Sequence, residues 1–374
     1  DHHVNMMVGQ EAQHTRENSS YLAGSNYPVE YLSQIELAAK PSSASTSLDN
    51  VALASFFFNG QYDYANKYYL SASVRTDGSS RFGSNNRWAT FYSVGARYRL
   101  TGESFMQLAS NWLDELTLRV SYGTSGNQDV GGSWYASRGL YGFGYNYNSQ
   151  PGSYRQQAGN PDLKWEQTAK FNVGVDLALW ERRVNVEFDY YRHLTKDMVF
   201  NVPLSLTSGM SSIPTNVGEL ENKGFEFSIS SKNFRGGAFT WDTDFNISFN
   251  RNKLTKLELQ KVYYDAKTAD VVNDYVVRNE PGRALGGFYG YISDGVDPET
   301  GELMYRDLNH DGKISSSDRT YIGDPNPDFT YGMTNTFSWK GFNLSIFIQG
   351  SYGNDVYNAS RIETEGMYDG KNQS

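Results

Sequence analysis

Residues 56–75 read Phe56-Phe57-Phe58-Asn59-Gly60-Gln61-Tyr62-Asp63-Tyr64-Ala65-Asn66-Lys67-Tyr68-Tyr69-Leu70-Ser71-Ala72-Ser73-Val74-Arg75. Phe56, Phe58, Gly60, Tyr62 and Tyr64 share one parity and continue beyond Ala65-Asn66 as Tyr68, Leu70, Ala72 and Val74. Asn59, Gln61, Asp63, Ser71, Ser73 and Arg75 hold the other parity. Successive side chains of a strand point to opposite faces, so a hairpin folded from this stretch has one greasy face and one wet face.

The same period recurs along the chain. It predicts strands over residues 2–12, 51–64, 67–78, 88–101, 115–126, 166–180, 183–200, 217–232, 238–252, 327–339 and 341–353. Phe171, Val173, Val175, Leu177 and Leu179 oppose Lys170, Asn172, Gly174 and Asp176, and Phe245, Ile247 and Phe249 oppose Asp244, Asn246 and Ser248. Tight turns are expected at Ala65-Asn66, Glu181-Arg182, Asn233 to Gly237 and Lys340, with a moderate link at 102–114. Between them fall longer links at 13–50, 79–87, 127–165, 201–216 and 253–326. In an up-and-down barrel every second connection lies on the same rim, so this alternation predicts one trimmed rim and one rim of long loops.

The resulting expectation is an all-β chain: a single partial domain over 1–374, forming about eleven strands of a large antiparallel transmembrane up-and-down β-barrel, with 253–326 as a long extracellular loop insertion. A strand-like piece, Ala284 to Ile292, is assigned to that loop. A soluble sandwich also alternates, but its strands usually run about five or six residues. Many of the strands here are about twice that and end in rings such as Tyr62, Tyr64, Tyr68, Trp88, Trp165, Trp180, Trp339 and Phe342. Such rings suit membrane interfaces, where one side is apolar and the other wet.

Composition agrees. Aromatics reach 15% and there are 36 Gly, while mean hydropathy is −0.61. A strand that needs apolar residues only at alternate positions spans a bilayer without the long apolar run of a helix. Cysteine is absent and the net charge is −9, which supplies no basic stripe for nucleic acid. The polar parity carries Asp63, Arg75, Arg97, Arg99, Arg119, Lys170, Asp176, Glu187, Asp189, Glu226, Asp242 and Asp244. An unpaired buried charge costs several kcal/mol, so this face calls for water or a polar plug. Large barrels provide one or the other.

Specific motifs sharpen the reading. Gly159-Asn160-Pro161-Asp162-Leu163-Lys164-Trp165-Glu166, followed by Phe171-Asn172-Val173-Gly174-Val175-Asp176, resembles the SusC/RagA family of TonB-dependent outer-membrane transporters. Asp189-Tyr190-Tyr191 with Thr195-Lys196-Asp197, Asn216-Val217-Gly218-Glu219-Leu220-Glu221-Asn222-Lys223-Gly224-Phe225-Glu226, and Arg75-Thr76-Asp77-Gly78-Ser79-Ser80-Arg81-Phe82-Gly83 resemble it too. The resemblance covers most of residues 50–356. It implies TonB-driven import of an oligosaccharide, peptide or other large nutrient across the outer membrane of a Gram-negative bacterium. It also implies a SusD-like surface lipoprotein as lid, pairing of two barrels with two lids, and no enzymatic activity. The family's plug domain with its TonB-coupling box, the domain preceding it and the terminal strands are not found in these residues, so the chain reads as the middle-to-late barrel, with TonB reached through a plug it lacks.

Two loops hold candidate sites. Asp307-Leu308-Asn309-His310-Asp311-Gly312-Lys313-Ile314-Ser315-Ser316-Ser317-Asp318 follows the calcium-loop pattern. Asp307, Asn309, Asp311, the Lys313 carbonyl and Asp318 would supply hard oxygens, with Ser315 acting through water and Gly312 at the turn. Asp replaces the usual Glu at the last position, and the alternative is a metal-free turn closed by Asx hydrogen bonds. In the 133–154 loop, Trp134, Tyr135, Tyr141, Phe143, Tyr145, Tyr147 and Tyr154 are spaced by glycines. Rings stack on the C–H faces of sugars, so Trp134, Tyr135, Tyr141, Tyr145 and Tyr147 are the candidate substrate contacts, against the alternative that they pack the loop on itself.

No catalytic constellation emerges: His2, His3, His14, His193 and His310 have no ligand spacing beyond the His2-His3 pair, and Asp242 with Asp244 better hydrates a lumen than hydrolyses a glycoside. The rival functional readings are a secreted, calcium-stabilised carbohydrate-binding or adhesive β-protein and, behind it, a glycoside hydrolase.

Overall fold

The computed structural model describes residues 2–29, 31, 34–130, 133–259, 262–267 and 274–365. Eleven strands form one antiparallel sheet in which each pairs with its neighbours in sequence. They are β1 (His2–Ser25), β2 (Lys40–Tyr64), β3 (Tyr68–Ser79), β4 (Trp88–Arg99), β5 (Leu113–Asn127), β6 (Glu166–Leu179), β7 (Val184–Pro203), β8 (Ser212–Gly236), β9 (Phe239–Leu257), β10 (Phe329–Trp339) and β11 (Phe342–Tyr352). The 253–326 link begins as the end of β9 and then builds its own four-stranded sheet from Tyr263–Lys267, Tyr275–Asn279, Phe288–Gly290 and Thr320–Gly323. The strand expected within Ala284 to Ile292 is the Phe288–Gly290 member of that sheet. Among the described residues no helix is long and apolar enough to cross a membrane.

Register keeps the two faces apart across the sheet. Val8 pairs with Phe58, Phe58 with Val74, Val74 with Tyr92 and Val94 with Tyr122. The stripe runs on through Tyr122–Phe171, Val175–Phe188, Phe227–Ile247, Phe245–Met333 and Met333–Ile348. A one-residue slip anywhere would turn a strand's apolar set to the wet side, so matched parity fixes each register. Val4, Met6, Val8, Leu70, Val94 and Leu344 are exposed on this face. The opposite face carries pairs such as His3–Asp63, Asn59–Ser73, Ser121–Asn172 and Asp189–Glu226. The large concavity from β1 to β7, lined by His3, Asp63, Tyr69, Arg97, Arg119 and Asp189, opens on it.

The tight turns use the conformations their geometry demands. Ala65 and Asn66 have φ of 53° and 56°, the left-handed pair whose twist matches two-residue hairpins. Trp180, Glu181 and Arg182 are also left-handed, as is Lys340 before Gly341. The β8–β9 turn is shorter than the expected Asn233 to Gly237, because β8 continues to Gly236 through a register shift between Lys232 and Phe234.

Two long links are corrected by the structure. Most of 13–50 is strand, since β1 runs to Ser25 and β2 starts at Lys40, and half of 201–216 belongs to β7 and β8. The physical reason lies in the apolar stripe, which on β1 stops at Val8. Beyond it Gln10, His14 and Arg16 occupy that parity, while backbone pairing continues to Ser25–Lys40. A membrane strand needs about 9–11 residues. The upper halves of β1 and β2 therefore stand above the apolar band with both faces in water, where period-two hydropathy disappears but the hydrogen-bond ladder does not.

Candidate functional site

On the polar face, side chains from neighbouring strands neutralise one another. Arg119 of β5 reaches Asp176 of β6 at 2.7 Å and Asp189 of β7 at 3.0 Å. Toward the short-loop rim, Arg97 and Arg182 share Glu115 at 3.1 and 2.7 Å. Toward the long-loop rim, Arg75 donates to Asp77 at 2.6 Å, Glu11 at 2.8 Å and Ser55 at 2.9 Å. The Asp189, Glu187 and Glu226 carboxylates line a second concavity with Ser228, Asn246 and Ser248. The polar wall is thus basic toward β3–β5 and acidic toward β6–β9.

At the long-loop rim the motifs quoted above meet in space. Phe82, Phe91, Val130, Ala136, Leu163 and Trp165 form a buried apolar cluster, with Phe82 and Trp165 rings 4.7 Å apart. Trp165 Nε1 donates to the Arg87 carbonyl at 2.9 Å, and the Gly83 amide to the Leu163 carbonyl at 2.9 Å. Asn216 ties this knot to β7 and β8. Its Nδ2 donates to the carbonyls of Lys164 and Asp197, and its Oδ1 accepts the Lys164 amide. Asn85 Nδ2 donates to Asp162 at 2.8 Å, and Asn160 Nδ2 to the Pro214 carbonyl at 2.8 Å. A Cβ on Gly83 would lie 1.9 Å from the Pro161 carbonyl oxygen, so only glycine admits that approach.

The 133–154 rings divide into two sets. Trp134 and Tyr135 are half-buried at the base: the Arg81 guanidinium lies over Trp134, and Tyr135 Oη accepts the Asn50 amide at 2.8 Å. Tyr141, Phe143, Tyr145 and Tyr147 project from a hairpin of Leu140–Phe143 and Ser153–Gln157, all exposed, with Tyr145 edge-on to Tyr154 at 4.6 Å. The structure therefore does not bring the five candidate contacts into one patch.

The 307–318 loop is closed by its own amides. Asp307 accepts the His310 and Gly312 amides at 2.7 Å each, and Asp311 accepts that of Lys313 at 2.8 Å. Asp318 is fully buried and accepts the amides of Ser315 at 2.8 Å and Leu308 at 2.9 Å. These donors, Ser315 first, hold its carboxyl below the usual range against the opposing effect of burial. Gly312 has φ 78°, the turn the motif requires. Among the described residues no three His, Asp or Glu side chains converge closely enough to hold a metal ion. The oxygen types suit calcium, whereas Asp318 is turned to backbone donors.

Sequence reading missed how the long loop is anchored and braced. Asn252 of β9 donates to Asn222 of β8 at 2.8 Å and accepts the Leu285 amide at 2.8 Å, while Leu254 beside it is fully buried. Within the loop sheet, Arg278 lies over Tyr289 at 4.5 Å, Arg283 over Tyr321 at 4.1 Å and Arg319 over Tyr291 at 5.1 Å. Burial, with Glu280 nearby, pushes the Tyr321 hydroxyl up to about 12. Arg319 also pairs with Asp274 and holds that carboxyl below its ordinary value. Three separated Arg–Tyr pairs leave no local period, so no window of sequence announces them.

Comparison with known proteins follows the same outline. A family model described as TonB dependent receptor-like, beta-barrel matches residues 3–364. TonB-dependent receptor P3 of Formosa agariphila is 33% identical over 97% of this chain and 38% of its own length. TonB-dependent receptor SusC of Bacteroides thetaiotaomicron is 32% identical over 97% of this chain and 38% of its own length. A solved structure described as the RagAB peptide transporter superposes with a TM-score of 0.86 at 28% identity, covering 98% of this chain and 41% of that one. The chain spans about a third to two-fifths of the length of the curated relatives it matches.

Proposed function

This chain belongs to the TonB-dependent receptor β-barrel family, of the SusC/RagA type, and from that premise we propose that it forms the lipid-facing and lumen-facing wall of an importer for large nutrients in the outer membrane of a Gram-negative bacterium. The observation that carries this reading is the two-faced pairing that runs from strand to strand across the sheet: an exposed apolar stripe on one side, and the Arg119–Asp176–Asp189 ion network on the other. Water-filled or plugged lumens need such a wall, and lipid needs the opposite one. The proposed cargo is an oligosaccharide or peptide, the latter favoured by the description of the RagAB structure as a peptide transporter. A SusD-like lipoprotein is the proposed lid, coupling runs to TonB through a plug, and the chain's own role is transport without catalysis.

For substrate contact we place Tyr141, Tyr145 and Tyr147 foremost, since they are free to stack, and Trp134 and Tyr135 beneath them as supports. The 307–318 loop is proposed as a calcium site of Asp307, Asn309, Asp311, the Lys313 carbonyl and Asp318. Binding there competes with the amides that Asp318 now accepts. Calcium titration of the complete protein should protect the loop from protease, and an unchanged cleavage rate would leave it a metal-free turn.

The import reading is tested by uptake of labelled oligosaccharide and peptide pools in cells with and without TonB. Accumulation that disappears with TonB supports it. Equal accumulation in both strains indicates a passive pore, and extraction into buffer without detergent would restore the secreted β-protein alternative.

A further inference from the structure

The apolar stripe ends upward in two successive rows on three adjacent strands. The lower row is aromatic: Tyr190 of β7 pairs with Phe225 of β8, which pairs with Phe249 of β9. Ring contacts carry it onward, Phe225 to Phe249 at 4.7 Å, Phe249 to Phe329 at 5.7 Å and Phe329 to Tyr352 at 5.3 Å. One step closer to the long-loop rim, on the same parity, stand Arg192, Lys223 and Arg251, with Arg192 and Arg251 each opposite Lys223. All three are exposed. Lys196 and Lys253 extend this basic band on the same parity and are exposed as well.

Cations are costly on a lipid-facing surface unless they sit at headgroup level or meet an anion. The protein supplies only part of the countercharge. Glu221 accepts from Arg192 at 2.7 Å and lies 3.4 Å from Lys223, and Asp328 lies 2.8 Å from Arg251. Among the described residues, the three cations Arg192, Lys223 and Arg251 thus meet two carboxylates, Glu221 and Asp328. Between the two rows the surface is hollowed into a concavity lined by Tyr190, Lys223, Gly224, Phe225, Phe249 and Arg251. Its floor is aromatic and its upper edge cationic.

We propose that this outer-surface concavity binds a phosphate-bearing lipid of the outer leaflet. The headgroup phosphate is held by Lys223 and Arg251 with Arg192 beside them, and the upper part of the lipid rests on Phe225, Phe249 and Tyr190. Guanidinium and ammonium groups match phosphate oxygens by charge and donor geometry, and rings at the interface accept the boundary between acyl chain and headgroup. The site lies on the face away from the lumen and is separate from cargo. It rests on the barrel reading and adds a bound lipid to it.

The test uses the complete protein in phosphatidylcholine nanodiscs containing monophosphoryl lipid A, released into detergent and weighed by native mass spectrometry. Wild-type protein should retain monophosphoryl lipid A in preference to phosphatidylcholine, whose phosphate is already balanced by its own choline. The triple variant Arg192→Gln, Lys223→Gln, Arg251→Gln should retain about tenfold less. Lys223→Gln alone should give an intermediate loss, Lys223→Arg should restore retention, and Lys170→Gln on the opposite face should change nothing. Equal retention by wild type and the triple variant overturns the proposal, as does a Lys170→Gln loss as large as that of Lys223→Gln. Each protein is first checked for faster gel migration unboiled than boiled. If wild type fails that check, the barrel reading falls as well; if wild type passes and retention ignores the three cations, only the lipid site falls. Should the triple variant misfold, the Lys223→Gln and Lys223→Arg pair decides.

Discussion

The long-loop rim holds two aromatic regions that behave in opposite ways. In the knot of residues 82–91 and 159–165, Phe82 is 1% exposed, Leu163 0% and Trp165 5%. In the hairpin of residues 140–157, Phe143 is 79% exposed and Tyr147 86%. Both are rich in rings and glycine, so composition does not separate them. Partners do: the knot sits where β3, β4, β6 and β8 converge and can bury its rings against Leu53, Ala89 and Val199, whereas among the described residues the hairpin pairs only its own two strands. A lone two-stranded hairpin buries little and orders weakly. The knot therefore sets the rim's shape, and the hairpin offers surface to whatever arrives.

Trp165→Ala strikes the knot hardest. Losing a buried indole and its bond to the Arg87 carbonyl should cost about 3–5 kcal/mol, measured as loss of the heat-modifiable folded species in urea. A cost below about 1 kcal/mol would make the knot as dispensable as a surface loop. Gly83→Ala should follow at about 1–3 kcal/mol, because the new methyl meets the Pro161 carbonyl and one of the two loops must shift. Its readout is the same unfolding midpoint, and an unchanged value would show that the 80–87 and 159–165 segments yield freely.

The hairpin should respond the other way. Tyr145→Ala with Tyr147→Ala should leave stability within about 0.5 kcal/mol while weakening cargo binding roughly three- to tenfold, the loss expected for stacked rings. A fall in stability without a fall in affinity would erase the contrast between the two regions. The smallest effect is expected at Asp318, whose carboxyl is depressed by the amides of Ser315, Leu308 and Asn309. A depressed folded value adds stability that is complete above the unfolded carboxylate value of about 3.9 and is lost as pH falls through the lower folded one. Cleavage within 307–318 should therefore rise only in acid stronger than pH 3.9 or so, and Asp318→Asn should bring that sensitivity to neutral pH. Cleavage already rising near pH 5 would show that these amides do not hold the loop.

Strand number, order and parity were legible because a membrane wall repeats one rule at every second residue, and Val74, Val94 and Val173 obey it within their own segments. Strand ends were less legible. Above the lipid the apolar stripe gives out, so β1 beyond Ala12 and β8 before Val217 lost the signal that marked their lower halves, although their ladders continued.

The candidate sites show the same division. The oxygens of Asp307, Asn309, Asp311 and Asp318 could be named from spacing alone, but not the turn of Asp318 toward Leu308 and Ser315. The rings of the 133–154 loop could be named, but not which of them Arg81 and Asn50 would hold down. Sequence alone determined what repeats locally: alternation, turn chemistry and the membrane-barrel class. Tertiary structure alone decided what depends on distant segments meeting, from the Asn216 clasp on Lys164 to the cation row over Phe225 and Phe249, because cross-strand neighbours are set by register and leave no trace in the spacing of residues along one strand.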